Sequence, residues 1–84
     1  MGSAPKRFVY VLQSVNNPER HYTGLSSDVQ RRLLSHNKGA SVDTRADRLW
    51  QITIVLEFRT EATAAKFERY LKSGSGRAFA RKHF

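Results

Sequence analysis

Three observations predict an α+β fold, with a small three-stranded antiparallel sheet flanked by two or three helices in the order β-β-α-β-α-α. Two short apolar runs, "RFVYVLQ" and "HYTGL", flank the turn-forming "SVNNPER" and read as a hairpin. A third run, "LWQITIVLEF", alternates with the period of a strand. The segments after the second and third runs space their apolar residues as helices do.

Taken in order, Phe8, Tyr10 and Leu12 alternate with Val9 and Val11, so the first strand is apolar on both faces and belongs inside the sheet. Asn16, Asn17 and Pro18 then turn the chain, because the residue before a proline is pushed out of helical space. Ser27 and Gln30 are spaced as a capping box and open a helix in which Val29 and Leu33 share a face, until "NKG" supplies a glycine stop. "ASVDTRADR" lacks either periodicity and is expected to be a loop. The third strand sets Trp50, Ile52, Ile54, Leu56 and Phe58 on one side. Thr60 caps a helix whose Ala64, Phe67 and Leu71 form one stripe, "SGSG" ends it, and "RAFARKHF" makes a last helical turn or two. At 84 residues this is one domain, expected over 8–84 behind a flexible N-terminus at 1–7.

Composition narrows the functional classes. A chain 39% hydrophobic and 26% charged lies outside the disordered regime. Without cysteine it has no disulfide and no thiolate metal site, so packing must hold it together, and a reducing cytosol is the expected setting. No apolar run approaches the roughly 20 residues of a membrane span, and "MGSAPKR" lacks the apolar core of a signal peptide. The net charge of +8 makes nucleic acid the default partner through counterion release. Lys66 to Phe84 concentrates six Lys/Arg against one acid, which is the density of a footprint.

Several residues ask for more than a structural role. Tyr10 sits mid-strand, where an aliphatic would pack without needing a partner for its hydroxyl. Adjacent antiparallel strands can bring it near Tyr22, and Gly24 would leave room for a phosphate. Arg32 and His36, one turn apart, border the Val29–Leu33 stripe. Arg32 is placed to hold a phosphate with its fork, whereas Arg31 faces outward, and His36 reads equally as a proton carrier or a satisfied half-buried histidine. Glu68 lies at the edge of an apolar stripe, where a carboxylate needs a cation nearby; an exposed pair with Lys72 is the plainer reading. Ser41 and Thr44 are expected to be solvated loop residues within reach of a phosphate backbone.

"FVYVL", Tyr22-Thr23-Gly24, Arg32 with His36, and Glu68 in "AAKFERYLKSGSG" occur in an order and spacing that resembles the GIY-YIG nuclease superfamily, especially its small stand-alone bacterial members. The resemblance covers Phe8 to about Phe84, with "FVY" standing for the first motif and "YTG" for the second. It implies a GIY-YIG endonuclease-like fold and a metal-dependent DNA endonuclease, structure-selective or weakly sequence-specific, working in repair or recombination in the bacterial cytosol or nucleoid.

In this reading Tyr10, Tyr22, Arg32, His36 and Glu68 are catalytic, and Glu68 anchors one Mg²⁺ or Mn²⁺. Arg32 balances charge on the scissile phosphate, and either tyrosine acts as base. With no separate DNA-binding extension, the grip falls to Gly24, Arg31, Lys38, Lys72, Arg77, Arg81 and Lys82, together with any targeting protein partner. A non-catalytic nucleic-acid-binding adaptor and an RNA-directed nuclease are the rival expectations.

Overall fold

In the computed structural model, which describes residues 4–84, the chain runs β1 (Phe8–Ser14), β2 (His21–Ser26), α1 (Val29–Asn37), α2 (Val42–Arg45), β3 (Trp50–Glu57), α3 (Glu61–Leu71) and α4 (Gly74–His83). As its two apolar faces require, β1 is central: the strand order is β2-β1-β3, and both pairings are antiparallel.

Side chains alternate across a strand, so β1 feeds two cores. Val9 and Val11 face α3 and α4, meeting Ala64 and Leu71 with Leu25, Ile54, Phe58, Phe67, Phe79 and Ala80 around them. Tyr10 and Leu12 face α1, meeting Val29 and Trp50 with Phe8, Tyr22, Leu33 and Ile52. The predicted single stripe on β3 is therefore corrected. Val11 pairs with Ile54 but Leu12 pairs with Ile52, so Thr53 is an extra residue at a bulge. The bulge shifts the phase of the strand and sends Trp50 and Ile52 to one face, Ile54 and Phe58 to the other.

The helices begin where side chains can accept orphan backbone N–H groups. The α1 cap is Asp28, which accepts from Arg31, rather than Ser27. Gly39, at φ +80°, follows the α1 C-cap Lys38, in keeping with the predicted glycine stop. Thr60 caps α3 as expected. The "SGSG" stretch, however, does more than end α3. Ser73 caps α4, and a methyl at Gly76 would overlap the Tyr70 carbonyl, so glycine permits the close approach of α4 to the end of α3.

The predicted loop is also corrected. Val42–Arg45 forms one helical turn, and its Thr44 is fully buried, because a contact network that local periodicity cannot reveal draws it inward. Two residues of the stretch 1–7, expected to be flexible, make contacts with the domain. Lys6 donates its backbone N–H to Glu61 at 2.7 Å, and Arg7 bonds the Phe58 carbonyl at 3.0 Å and pairs with Glu57 at 3.2 Å. Residues 1–3 of that stretch lie outside the described residues. Among the described residues, no helix is long and apolar enough to cross a membrane.

Candidate active site

The site forms on the α1 face of the sheet, beside β2, one of its two edge strands. On this face α1 packs chiefly over β3, whereas on the other α3 packs under β1 and β2. Tyr10 pairs with Gly24 and Leu12 with Tyr22, which places both phenols on the α1 face. Their rings stand 6.2 Å apart. A methyl at Gly24 would overlap the ring and hydroxyl of Tyr10, so the phenol lies directly over β2. The space expected above Gly24 for a phosphate is thus filled by Tyr10, and Gly24 itself is buried.

α1 supplies the polar partners. His36 does not border the core as expected but completes the stripe with Val29 and Leu33 at i, i+4 and i+7, and it is fully buried. Its Nε2 is 3.1 Å from the Tyr10 hydroxyl, and its Nδ1 is 2.8 Å from Thr44 Oγ1. The Tyr22 ring lies 4.7 Å from the imidazole. Tyr10, His36 and Thr44, each at most 1% exposed, form a hydrogen-bonded chain closed to solvent. Thr44 is held in turn by its carbonyl, which accepts from the Trp50 indole at 2.9 Å. It was expected to be solvated, and its spacing of eight residues from His36 carries no periodic signal. Ser41 is the α2 N-cap residue and makes no side-chain cap bond.

Charge at the site favours neutral forms. Burial pushes the Tyr10 pKa above its ordinary 10.0, opposed by the Arg32 guanidinium and assisted by the charges of Tyr22 and Glu68. Burial, followed by the Arg32 charge, lowers His36 below its ordinary 6.5. Glu68 rises from the helix on the opposite face. Its negative charge contributes the smallest of the causes that raise the Tyr10 pKa.

Glu68 is mostly buried and pairs with Lys72 at 2.6 Å, so the pairing and the partly apolar setting both exist. Among the described residues, no three His, Cys, Asp or Glu side chains gather as a metal cluster. A lone carboxylate fits a hard divalent cation that retains most of its own water, as Mg²⁺ does, and does not fit a nitrogen- and sulfur-rich zinc cage.

Of the five predicted catalytic residues, Tyr10, Tyr22 and His36 pack together, and the charges of Arg32 and Glu68 act on Tyr10. The predicted grip residues do not form one surface. Arg31 and Arg32 share a recess of about 470 Å³ with Lys6 and Asp28, whereas Lys72, Arg77 and Arg81 line a separate groove of about 950 Å³. Lys38 and Lys82 are exposed and line neither.

Residues 6–82 match the GIY-YIG catalytic domain family. The chain belongs to that family. Its GIY-YIG sheet keeps the tyrosines of both motifs on one face, and membership places the chain in a class of endonucleases that generally work with a divalent metal. The GIY-YIG domain is also similar to the structure-specific endonuclease subunit SLX1 of Candida dubliniensis, with 34% identity over 71 residues. That alignment covers 76% of this chain and 25% of the relative, so the chain spans about a quarter of the relative's length. No solved structure matches the chain.

Proposed function

We propose that this domain hydrolyses phosphodiester bonds in DNA with one Mg²⁺ or Mn²⁺, selecting structure over sequence, in repair or recombination. The observation that carries this reading is the packing of two phenols and one imidazole on one face of a GIY-YIG domain, with the charges of Arg32 and Glu68 acting on Tyr10. Similarity to a structure-specific endonuclease subunit supports the selectivity.

Glu68 would hold the cation, which when bound supplies Lewis-acid polarisation of the phosphate. Arg32 stabilises charge growing on the phosphoryl oxygens. Tyr10 is enclosed and its raised pKa opposes ionisation, while the lowered pKa of His36 makes it a reluctant proton acceptor, so this pair serves as a scaffold. Tyr22, half-exposed against His36, is the phenol that meets the attacking water. As water adds to phosphorus, it passes a proton to the Tyr22 oxygen while the phenol releases its own proton to solvent, the bond to the departing sugar oxygen breaks, and that oxygen leaves with a proton from solvent.

The test is plasmid nicking. With Mg²⁺ or Mn²⁺ the wild type nicks supercoiled DNA, and Glu68→Gln retains binding but loses about 10³-fold or more in rate. Equal nicking by both proteins ends the reading. Salt-sensitive binding with no metal-dependent cleavage by either would instead identify the adaptor, and preference for an RNA strand would move the substrate class.

A further inference from the structure

The 950 Å³ groove lies mainly on the other face of the sheet and meets the phenol cluster at Tyr22. By register, Val11 pairs with Thr23 and Gln13 with His21, so these four side chains share the face that α3 covers. Under α3 and α4 that face is apolar, with Val9, Val11 and Leu25. Toward the hairpin it becomes polar, with Gln13, Thr23 and the bulge residue Thr53 as its floor.

Cations stand along this open half. Arg77 and Arg81, one turn apart on α4, are exposed and make no ion pair among the described residues, and Lys72 and Arg20 join them with Glu19 as the one acid. Phe84, 37% exposed, contributes an aromatic wall. Tyr22 and Lys72 belong to both regions, Tyr22 through the phenol cluster and Lys72 through its ion pair with Glu68.

We infer that this groove binds a single strand of DNA and leads it around the β2 edge to the candidate site, an inference that rests on the DNA endonuclease reading. A positive channel with an aromatic wall matches what unpaired strands require, namely backbone neutralisation and a surface for base stacking. The amide of Gln13 and the hydroxyls of Thr23 and Thr53 would meet base edges. A duplex keeps the Watson–Crick edges paired inside, so the polar floor would meet them only in an unpaired strand. The substrate is therefore DNA with an unpaired arm, whose arm lies on one face of the sheet while the scissile phosphate sits at its edge.

Fluorescence anisotropy on the full chain in EDTA tests this with a short labelled oligothymidylate and a duplex of equal length. Arg77→Ala/Arg81→Ala is compared with Arg48→Ala/Arg59→Ala, which also removes two exposed cations but from outside the groove. The groove pair is expected to weaken single-strand binding about tenfold and to flatten the slope of log K against log salt by about 1.4, while duplex binding and the unfolding temperature barely change.

Equal weakening by the two pairs would show a general electrostatic field and overturn the groove. Loss of duplex binding as large as that of the single strand would overturn the occupant. Metal is absent, so this result is independent of cleavage. Groove-dependent binding by a protein that never nicks plasmid would sink the endonuclease reading alone, and nicking by a protein whose strand binding ignores the groove would sink this inference alone.

Discussion

The two faces of the sheet are built from alternate residues of the same central strand, yet they solve different problems. Under α3 and α4, Val9, Val11, Ala64 and Leu71 make a core without a polar side chain. Under α1, Tyr10, Leu12, Val29 and Trp50 pack beside buried His36, Thr44, Ser14 and Ser26. Each buried polar side-chain atom among the described residues nevertheless has a hydrogen-bond partner. An apolar core gains from area alone. A polar one gains only while its hydrogen bonds stay intact, because a buried group left unpaired keeps its full desolvation cost. The first face therefore holds the domain together, and the second fixes directions for side chains around the candidate site.

Breaking each face separately sharpens that division. The largest stability effect belongs to the apolar side. Leu71→Ala should cost about 2–5 kcal/mol in urea unfolding, while whatever nicking remains per folded molecule keeps its pH profile. A changed profile would mean that the faces are coupled.

On the polar side, Thr44→Val preserves shape but leaves His36 Nδ1 without its partner, at a cost of about 1–3 kcal/mol. Thr44→Ser should recover most of that. The discriminating readout is the imidazole ¹⁵N spectrum, where Val should alter the tautomer signals of His36 and Ser restore them. If the valine variant is as stable as wild type and its spectrum unchanged, Thr44 does not position His36.

The smallest expected effect is pH-dependent. His36 has a folded pKa below its unfolded value of about 6.5, so over that interval the unfolded chain binds more protons. Its contribution to stability is present above about pH 6.5 and is lost as the pH falls through the lowered folded value. Unfolding temperature measured from pH 7.5 downward should decline, and the decline should be shallower in His36→Gln. An identical decline in both proteins would assign the acid sensitivity to other groups.

Legibility in the sequence followed the range of the interactions. The three strands, the α3 stripe of Ala64, Phe67 and Leu71, and the caps at Thr60 and Gly39 depend on neighbours within a few residues, so periodicity and turn chemistry exposed them. The β3 bulge did not show, because Trp50–Phe58 alternates without a break and only the register against β1 reveals Thr53 as the extra residue. Gly24 was visible as a glycine but not for its reason, since the ring that fills its space comes from the neighbouring strand. The site was legible as an ordered set of residue types matching a family pattern. Thr44, Arg20 and His21 were missed because no local spacing ties them to His36 or to the α4 cations.

What the sequence by itself determined is the set of elements, the basic character of the surface and the family pattern, all of which arise from composition and local spacing. Only the tertiary structure decided that Tyr10 lies over Gly24, that His36 enters the core to meet Thr44, that Glu68 is mostly buried against Lys72 on α3, and that the α4 cations border a polar groove of their own. Those facts depend on contacts between residues far apart in the chain, whose geometry is set when the sheet pairs and the helices pack, and not by any one segment's own preference.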